Sequence, residues 1–153
     1  TTAGHHLSAV LGEMIDAIRK RGLKPRVVRF LHTADTSFLG LSAARLAGSG
    51  IGIGIQAKGT AVIHHRDRLP HNNLELFSNA PITMLEHYRG LGANAAAYAL
   101  GEMPEPVVVP QRGEAMGSRY HARVALIYAI ETRLTEEGAE PEEIDVTLTG
   151  TKS

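Results

Sequence analysis

The residues that could do chemistry in this sequence include eight histidines among 153 residues, and there is no cysteine. The missing cysteine excludes disulfides, thiolate metal sites, iron–sulfur clusters and a cysteine nucleophile. Imidazole could carry a proton near neutral pH or bind a metal ion. His64 and His65 are neighbours in a predicted strand, where adjacent side chains point to opposite faces, so they do not easily share one metal. No H-E-x-x-H pattern occurs, and we predict structural roles for most of the histidines and no metal site.

Hydrolytic and acid–base chemistry has no specific signature. A G-x-S-x-G nucleophile elbow is absent, and we expect Ser42 and Ser49 to be helix or turn residues. A Ser-His-Asp triad assembled in space stays open, because its members need not be close in sequence. Asp35 and Glu75 could act as acid and base, but two carboxylates among 16 acidic residues do not indicate a site.

A polar set around a predicted hairpin is the best local candidate for binding. Asp35 follows a predicted strand, and sites in α/β sheets lie beyond the carboxyl ends of strands. Gln56, Lys58 and Thr60 bracket the hairpin turn, and Asn73 follows it. These amides, hydroxyls and one cation suit a ligand rich in amide groups. The alternative is a capped, solvent-exposed turn, which these residues alone favour.

A glycine run precedes that turn. Gly50, Gly52 and Gly54 alternate with isoleucines, so one face of the predicted strand has no side chains. Such a face indicates that something large approaches the backbone, either a ligand or a tightly packed helix. The spacing is G-x-G-x-G inside a strand and is followed by another strand, so it does not match the strand–G-x-G-x-x-G–helix order of dinucleotide sites.

Hydrophobic periodicity predicts the elements that position these groups. Apolar residues at helical spacing over Leu7–Ile18 predict an amphipathic helix. The β-branched run Arg26–Leu31 predicts a strand, and Ser37–Ala47 a short helix. Ile51–Ile55 and Thr60–His65 are predicted to pair as a hairpin.

The second half continues this alternation of helices and strands. Leu74–Phe77 is predicted to be extended, and Thr83–Glu86 matches a capping box that starts an Ala- and Gly-rich, closely packed helix. Glu102–Gly117 is a connector, Ser118–Glu137 is predicted to be a third long helix, and Glu143–Thr149 a last strand. Five side chains of the third long helix are predicted to face inward: Tyr120, Val124, Ile127, Tyr128 and Leu134. The pattern predicts an α/β layered fold.

Length and charge narrow the class of protein. A chain of 153 residues suits one domain, and we predict a single domain over 1–153. Sixteen basic and 16 acidic residues balance, which argues against a nucleic-acid or membrane-surface binder. No apolar run approaches the ~20 residues of a membrane span. The chain starts at Thr1 without a signal-peptide pattern, so we expect a cytoplasmic protein whose beginning is missing.

Several blocks of sequence resemble the medium (β) subunit of adenosylcobalamin-dependent diol and glycerol dehydratases. The matching segments are Lys24–Arg29, Thr33–Phe38, Leu46–Thr60, Asn73–Phe77, Ala80–Pro81, Asn94–Ala99 and Gly101–Glu102. The resemblance covers nearly the whole chain, and its central block is far longer than a short motif.

The resemblance implies a subunit of a larger enzyme. In that family a large barrel subunit holds the substrate and the catalytic residues, and a small subunit completes the complex. The medium subunit supplies a Rossmann-like platform, a central sheet flanked by helices, under adenosylcobalamin. The complex converts 1,2-diols such as propane-1,2-diol or glycerol to aldehydes and water by a radical mechanism. The resemblance therefore implies no catalytic residue in this chain and no activity without the large subunit.

The family's cofactor-contact role carries over to Asp35, Lys58, Thr60 and Asn73, where the motifs match, and we add Gln56 from the same block. Lys58 is expected to donate to a cofactor amide oxygen or to the nucleotide-loop phosphate.

The sequence departs from the family near the expected tail of the cofactor. His71 stands within Pro-His-Asn-Asn, where the family has Pro-Leu-Ser-Asn, and Ser78 within Phe-Ser-Asn-Ala-Pro, where the family has Phe-Pro-Gln-Ala-Pro. We include both residues as cofactor contacts. Gly117 marks a third departure, in the segment where the family has Met-Ala-Arg-Pro-Lys. The family's N-terminal extension, associated with bacterial microcompartments, is not in the sequence, so encapsulation is left open.

Two rival functions stay open. The first is the small subunit of the dehydratase reactivating factor, a chaperone-like protein of related fold that helps to expel damaged cobalamin. The full hairpin segment and the third long helix favour the dehydratase subunit over it. The second rival is a free-standing metal hydrolase using His64 and His65, which the geometry of a strand disfavours.

Overall fold

The structure is a computed structural model that describes residues 1, 3–78, 82–109 and 118–145. In chain order it contains α1 (Leu7–Lys20), β1 (Val27–Arg29), α2 (Thr36–Leu46), β2 (Ile51–Ile55), β3 (Ala61–His65), β4 (Glu75–Phe77), α3 (Leu85–Ala99), α4 (Ser118–Arg133) and β5 (Glu142–Ile144). Each element falls within or close to a segment predicted from the sequence.

The strands form two small sheets. β2, β3 and β4 pair antiparallel in that order, and β1 pairs antiparallel with β5. Short turns join β2 to β3, and a short connection of this kind permits only antiparallel pairing. The α/β class with helix-flanked sheets is confirmed. The Rossmann-like arrangement is not confirmed, because every pair among the described strands is antiparallel.

The three-stranded sheet lies between two helical layers. Its first face carries the glycines of β2 together with Val62 and His64 of β3, and α2 covers it. Its second face carries Ile63 of β3 and Phe77 of β4, which pack with α1 and α3 in the main core. Because side chains alternate along a strand, each strand serves both layers.

Helices α1 and α3 pack closely against each other. A Cβ built on Gly92 of α3 would lie 2.7 Å from the carbonyl oxygen of Met14 in α1. Val10, Met14, Tyr88 and Leu91 are buried at this contact. The close packing predicted from the Ala- and Gly-rich composition of α3 is therefore confirmed.

The start of α3 differs from the predicted Thr83–Glu86 capping box. Met84 is the N-cap, and its backbone N–H donates to Nδ1 of His87 at 2.8 Å. Thr83 does not cap the helix. It is buried, and its hydroxyl is 3.1 Å from the hydroxyl of Tyr88. The hydroxyl that the capping motif would use thus contacts the phenol of Tyr88, one turn into the helix.

The C-terminal elements confirm the predicted pattern only in part. The side chains predicted to face inward are only partly covered, since Tyr128 and Leu134 are 40% and 66% exposed. Tyr128 nonetheless contacts Lys58, Leu134 borders an apolar cavity, and Val124 and Ile127 are partly buried. The side chain of Tyr120, residues 110–117 of the connector and 146–149 of the last strand lie outside the described residues.

Candidate functional site

The β2–β3 turn carries the centre of the predicted polar set. Strands β2 and β3 are in register from Ile51 opposite His65 to Ile55 opposite Ala61. Beyond them, the N–H of Gln56 donates to the carbonyl of Thr60 at 3.0 Å, and the N–H of Gly59 donates to the carbonyl of Gln56 at 2.9 Å. Gly59 has φ +107°, a conformation that favours glycine. The turn is therefore held by its own backbone, and it brings Gln56, Lys58 and Thr60 together.

A cavity of about 280 Å³ opens beside this turn. Five of the seven residues predicted from the sequence line it: Asp35, Gln56, Lys58, Thr60 and Ser78. Four further lining residues were not predicted as contacts: Thr36, Ser37, Leu76 and Tyr128. Thr36 and Ser37 follow Asp35 directly in the sequence, which could have indicated them. Tyr128 lies 68 residues beyond Thr60, so its presence here depends on how α4 packs.

Gln56 offers a buried acceptor at this cavity. The residue is only 5% exposed, and its side-chain Nε2 donates to the carbonyl of Ala34. Its Oε1 is buried and accepts no hydrogen bond from the described residues. A buried polar atom without a partner is uncommon in folded proteins, because it has lost its hydrogen bonds to water. A ligand N–H group would supply the missing donor.

Asp35 has a structural task at the edge of the cavity. It is the N-cap of α2, and its Oδ1 accepts a hydrogen bond from the N–H of Phe38 at 3.1 Å. A carboxylate also suits the positive end of the helix dipole. The carboxylate has a second oxygen as a further acceptor, so capping and contact with a ligand are compatible.

The turn also contacts α4. Nζ of Lys58 lies 5.0 Å from the centroid of the Tyr128 ring, within the range of a cation–π interaction. Oε2 of Glu131 accepts a hydrogen bond from the N–H of Ala57 at 2.7 Å. Burial raises the pKa of the Glu131 carboxyl, while the Ala57 N–H and the charge of Lys58 oppose the shift. These two contacts attach α4 to the turn.

His71 and Asn73 do not line the cavity. The His71 ring meets the edge of Phe38, with 5.8 Å between ring centroids. Asn73 is partly buried, and its Oδ1 accepts no hydrogen bond from the residues that the structure describes. The structure therefore brings five of the predicted contacts together and leaves these two outside.

A helix covers the glycine face, so this face is not a ligand platform. A Cβ on Gly52 would lie 2.2 Å from the backbone nitrogen of Ala44, and one on Gly54 would lie 2.4 Å from that of Gly40. Both contacts are with the backbone of α2. Of the two alternatives, the tightly packed helix is the one observed, and it occupies the space beside the glycines.

A larger apolar cavity of about 1290 Å³ lies elsewhere, between α1, β1, α2 and β2. None of the seven predicted contacts lines it. Apolar helix and strand residues such as Leu11, Ile15 and Ile53 dominate its walls. Sites that recognise polar ligands need converging polar groups, so the smaller cavity is the better candidate.

The histidines show structural contacts. His64 is fully buried, with Nδ1 2.8 Å from the carbonyl of His65 and Nε2 3.0 Å from that of Pro70. His65 lies on the other face of β3, where its Nδ1 accepts the N–H of Asp67 at 3.1 Å. Within the described ranges, no three His, Asp or Glu side chains are grouped as a metal site would need.

None of the described helices combines the length and the apolar character that crossing a membrane requires.

The fold and the cavity define a class: an α/β scaffold that collects amide, hydroxyl and ammonium groups at one end of a β-hairpin. This chain belongs to the dehydratase medium subunit family, whose family model matches residues 1–105. The match confirms the resemblance to the medium subunit of diol and glycerol dehydratases. A medium subunit is part of a multi-subunit dehydratase, and the family is one of cobalamin-dependent dehydratases.

A solved structure described as a glycerol dehydratase reactivase has a similar fold. The TM-score is 0.50 at 22% sequence identity, and the alignment covers 72% of this chain and 91% of that chain. At this identity the similarity concerns the fold alone. It agrees with the helix-flanked sheets described above.

Proposed function

We propose that this chain is the medium subunit of a coenzyme-B12-dependent diol or glycerol dehydratase and holds cobalamin against the large catalytic subunit. A large and a small subunit complete the enzyme, which we place in the cytoplasm. Within it, residues 1–153 act as one cobalamin-platform domain. The family match supports the assignment to a dehydratase.

The observation that carries the proposal is the unpartnered Oε1 of Gln56 at the small cavity. The edges of a corrin ring bear amide side chains, each with two N–H donors and one acceptor oxygen. Such an amide could donate to Gln56 and accept from the ammonium group of Lys58. The donor and acceptor types at the cavity therefore fit the cofactor.

The size of the cavity limits how much of the cofactor it could hold. A volume of about 280 Å³ suits an amide arm and not a whole corrinoid. Most of the cofactor would then be enclosed by another subunit, as the proposed division of labour requires. Adenosylcobalamin, when bound, supplies the radical chemistry, and the protein supplies binding and orientation. In this chain Gln56, Lys58, Thr60 and Ser78 bind and orient, and Asp35 both caps α2 and accepts.

A retention assay on the assembled enzyme tests the proposal. The chain is co-expressed with large and small dehydratase subunits, loaded with adenosylcobalamin and passed through gel filtration, and bound corrinoid is read from its absorbance. Lys58→Ala should weaken retention roughly 10- to 100-fold, because a hydrogen bond from a charged group is worth about 1.5–3 kcal/mol.

Lys20→Ala is the matched control. Lys20 is an exposed lysine in the last turn of α1 and does not line the cavity. Its removal should leave retention unchanged. Equal retention in the Lys58 and Lys20 variants would remove Lys58 from the site. Diol dehydration by the purified chain alone would contradict the division of labour between subunits.

The small subunit of a reactivating factor is the second candidate, and the fold similarity to a glycerol dehydratase reactivase favours it. The family match favours the medium subunit. The two functions predict opposite results with loaded enzyme. A medium subunit co-purifies with the large subunit and retains cobalamin, whereas a reactivating subunit promotes nucleotide-dependent release of the cofactor.

A further inference from the structure

We infer that Tyr88 is a positioning residue that holds the β2–β3 turn in the shape that places Lys58 and Thr60 at the ligand cavity. The inference rests on the proposed function of that cavity. Tyr88 itself does not line the cavity. It acts on the backbone of the turn from the opposite side, from within the core between the sheet and α3.

The contact joins two distant parts of the chain. The hydroxyl of Tyr88 donates to the carbonyl oxygen of Gly59 at 2.7 Å, and both residues are buried. Gly59 lies between the cavity residues Lys58 and Thr60. Its carbonyl belongs to the peptide unit between Gly59 and Thr60, so this single hydrogen bond fixes the orientation of that unit. The backbone hydrogen bonds within the turn use the N–H of Gly59 and the carbonyl of Thr60. The carbonyl of Gly59 is not used by them, so it can accept from Tyr88.

The geometry of both partners is specific to this contact. A Cβ on Gly59 would lie 2.6 Å from the Tyr88 hydroxyl oxygen, so glycine is what lets the phenol approach. The Tyr88 ring packs edge-on against Phe77, with centroids 5.2 Å apart. The hydroxyl of Thr83 lies 3.1 Å from the phenol oxygen and can donate to it, while the phenol O–H donates to the carbonyl of Gly59. Burial raises the pKa of Tyr88, which keeps it a protonated donor at neutral pH.

Tyr88→Phe tests the inference because it removes the hydroxyl and keeps the ring. In the assembled enzyme we expect cobalamin retention to weaken roughly two- to twelvefold, the range of one hydrogen bond. The KM for adenosylcobalamin should rise with kcat little changed. In the isolated chain, hydrogen exchange of the Gly59 amide should accelerate, and this readout needs no cofactor.

Thr83→Val is the matched control. It removes the other hydrogen bond of the same phenol from the same buried cluster, and it leaves the bond from Tyr88 to Gly59 in place. We expect a comparable loss of unfolding free energy in the two variants, with changes in retention and in Gly59 exchange only for Tyr88→Phe. A merely structural role would move both variants alike, and that result would overturn the inference.

Gly59→Ala disturbs the same contact from the turn, and the φ of +107° at Gly59 adds backbone strain of its own, so Thr83→Val remains the deciding comparison. Gly59→Ala should reproduce the loss of retention. Results for the wild-type complex and for Lys58→Ala distinguish a failure of the proposed function from a failure of the positioning role alone. If the wild-type complex holds no cobalamin, the proposed function fails. If Lys58→Ala weakens retention while Tyr88→Phe behaves like Thr83→Val, only the positioning role fails.

Discussion

The glycine face of β2 and the turn that follows it adjoin in sequence but differ in how they use space. At Gly52 and Gly54 the backbone of α2 lies so close that a single added carbon would overlap it. A few residues later, Gln56, Lys58 and Thr60 border a cavity open to a ligand. An absence of side chains thus serves helix packing in one segment, while the next segment gathers polar groups around a cavity.

The contrast has a simple physical origin. A helix can lie directly on a strand only where the strand has no side chains, and that close approach fixes α2 relative to the sheet. Fixing α2 also fixes its N-terminus, where Asp35, Thr36 and Ser37 line the cavity. The packed glycines thus position one wall of the candidate site without lining it.

Gly52→Val should produce the largest effect on stability. Its Cβ would lie 2.2 Å from the backbone nitrogen of Ala44 and 2.7 Å from the carbonyl oxygen of Gly40, and neither backbone atom can move away cheaply. We expect a loss of about 3 kcal/mol or more in unfolding free energy, measured by urea denaturation with circular dichroism. Gly48→Ala is the control, because nothing lies within 4 Å of its Cβ. Equal stability of the two variants would contradict the packed-helix account.

Asp35→Ala should have an intermediate effect. It removes the cap of α2 and leaves the Phe38 N–H without its acceptor, which should cost about 1 kcal/mol. Asp35→Asn keeps a capping oxygen and should stay within a few tenths of wild type in the same urea titration. A full loss in the Asn variant would show that the negative charge, and not the cap, matters at this position.

Ser78→Leu should change stability little although it adds volume. Ser78 is exposed and lines the cavity, so the unfolding free energy should stay within about 0.5 kcal/mol of wild type. The larger side chain should nonetheless lower corrinoid retention by the assembled enzyme. Unchanged retention would show that the ligand binds away from Ser78. A large loss of stability would show that the surroundings of Ser78 are as tightly packed as the glycine face.

Glu131→Gln should have the smallest effect, and one that depends on pH. Because the pKa of Glu131 is raised in the folded chain, its contribution to stability is present below about pH 4.3 and is lost as the pH rises through the folded value. The neutral amide can still accept from Ala57 and has no such loss. At neutral pH the variant should therefore equal or exceed wild type by about a few tenths of a kcal/mol, since the Ala57 N–H and the charge of Lys58 offset part of the cost of burying the carboxylate.

Thermal unfolding of wild type and Glu131→Gln between pH 4 and 8 measures this difference. The curves should converge at the acid end and separate toward neutrality. A variant less stable than wild type across the whole range would mean that the charge itself attaches α4 to the turn.

Most of the fold could be predicted from the sequence because the elements have local signatures. The periodicity of α1, the β-branched and alternating strands and the β2–β3 hairpin all depend on neighbouring residues. The start of α3 did not follow its local motif, because the Thr83 hydroxyl meets the phenol of Tyr88, which distant Gly59 and Phe77 hold in the core. The partial exposure of Tyr128 and Leu134 was not predicted either, since periodicity identifies an apolar face but not how completely it is covered.

The candidate site, too, was predictable only where its residues have local signatures in the sequence. Residue types and the family resemblance indicated Asp35, Gln56, Lys58, Thr60 and Ser78, and the structure places all five around one cavity. Tyr128 and Tyr88 had no local signal, because each reaches the turn from a distant helix. His71 and Asn73 are close to Ser78 in sequence but do not line the cavity.

Secondary structure, family and the chemical character of the candidate site could be predicted from residue types and short spacings. Three features emerge only from tertiary packing: α2 covers the glycines, the buried Oε1 of Gln56 has no partner among the described residues, and the Tyr88 hydroxyl donates to Gly59. These facts depend on which surfaces meet. In a close-packed interior, one added carbon atom decides whether two surfaces can meet. The pattern of residues along one segment does not show which surface of another segment lies against it.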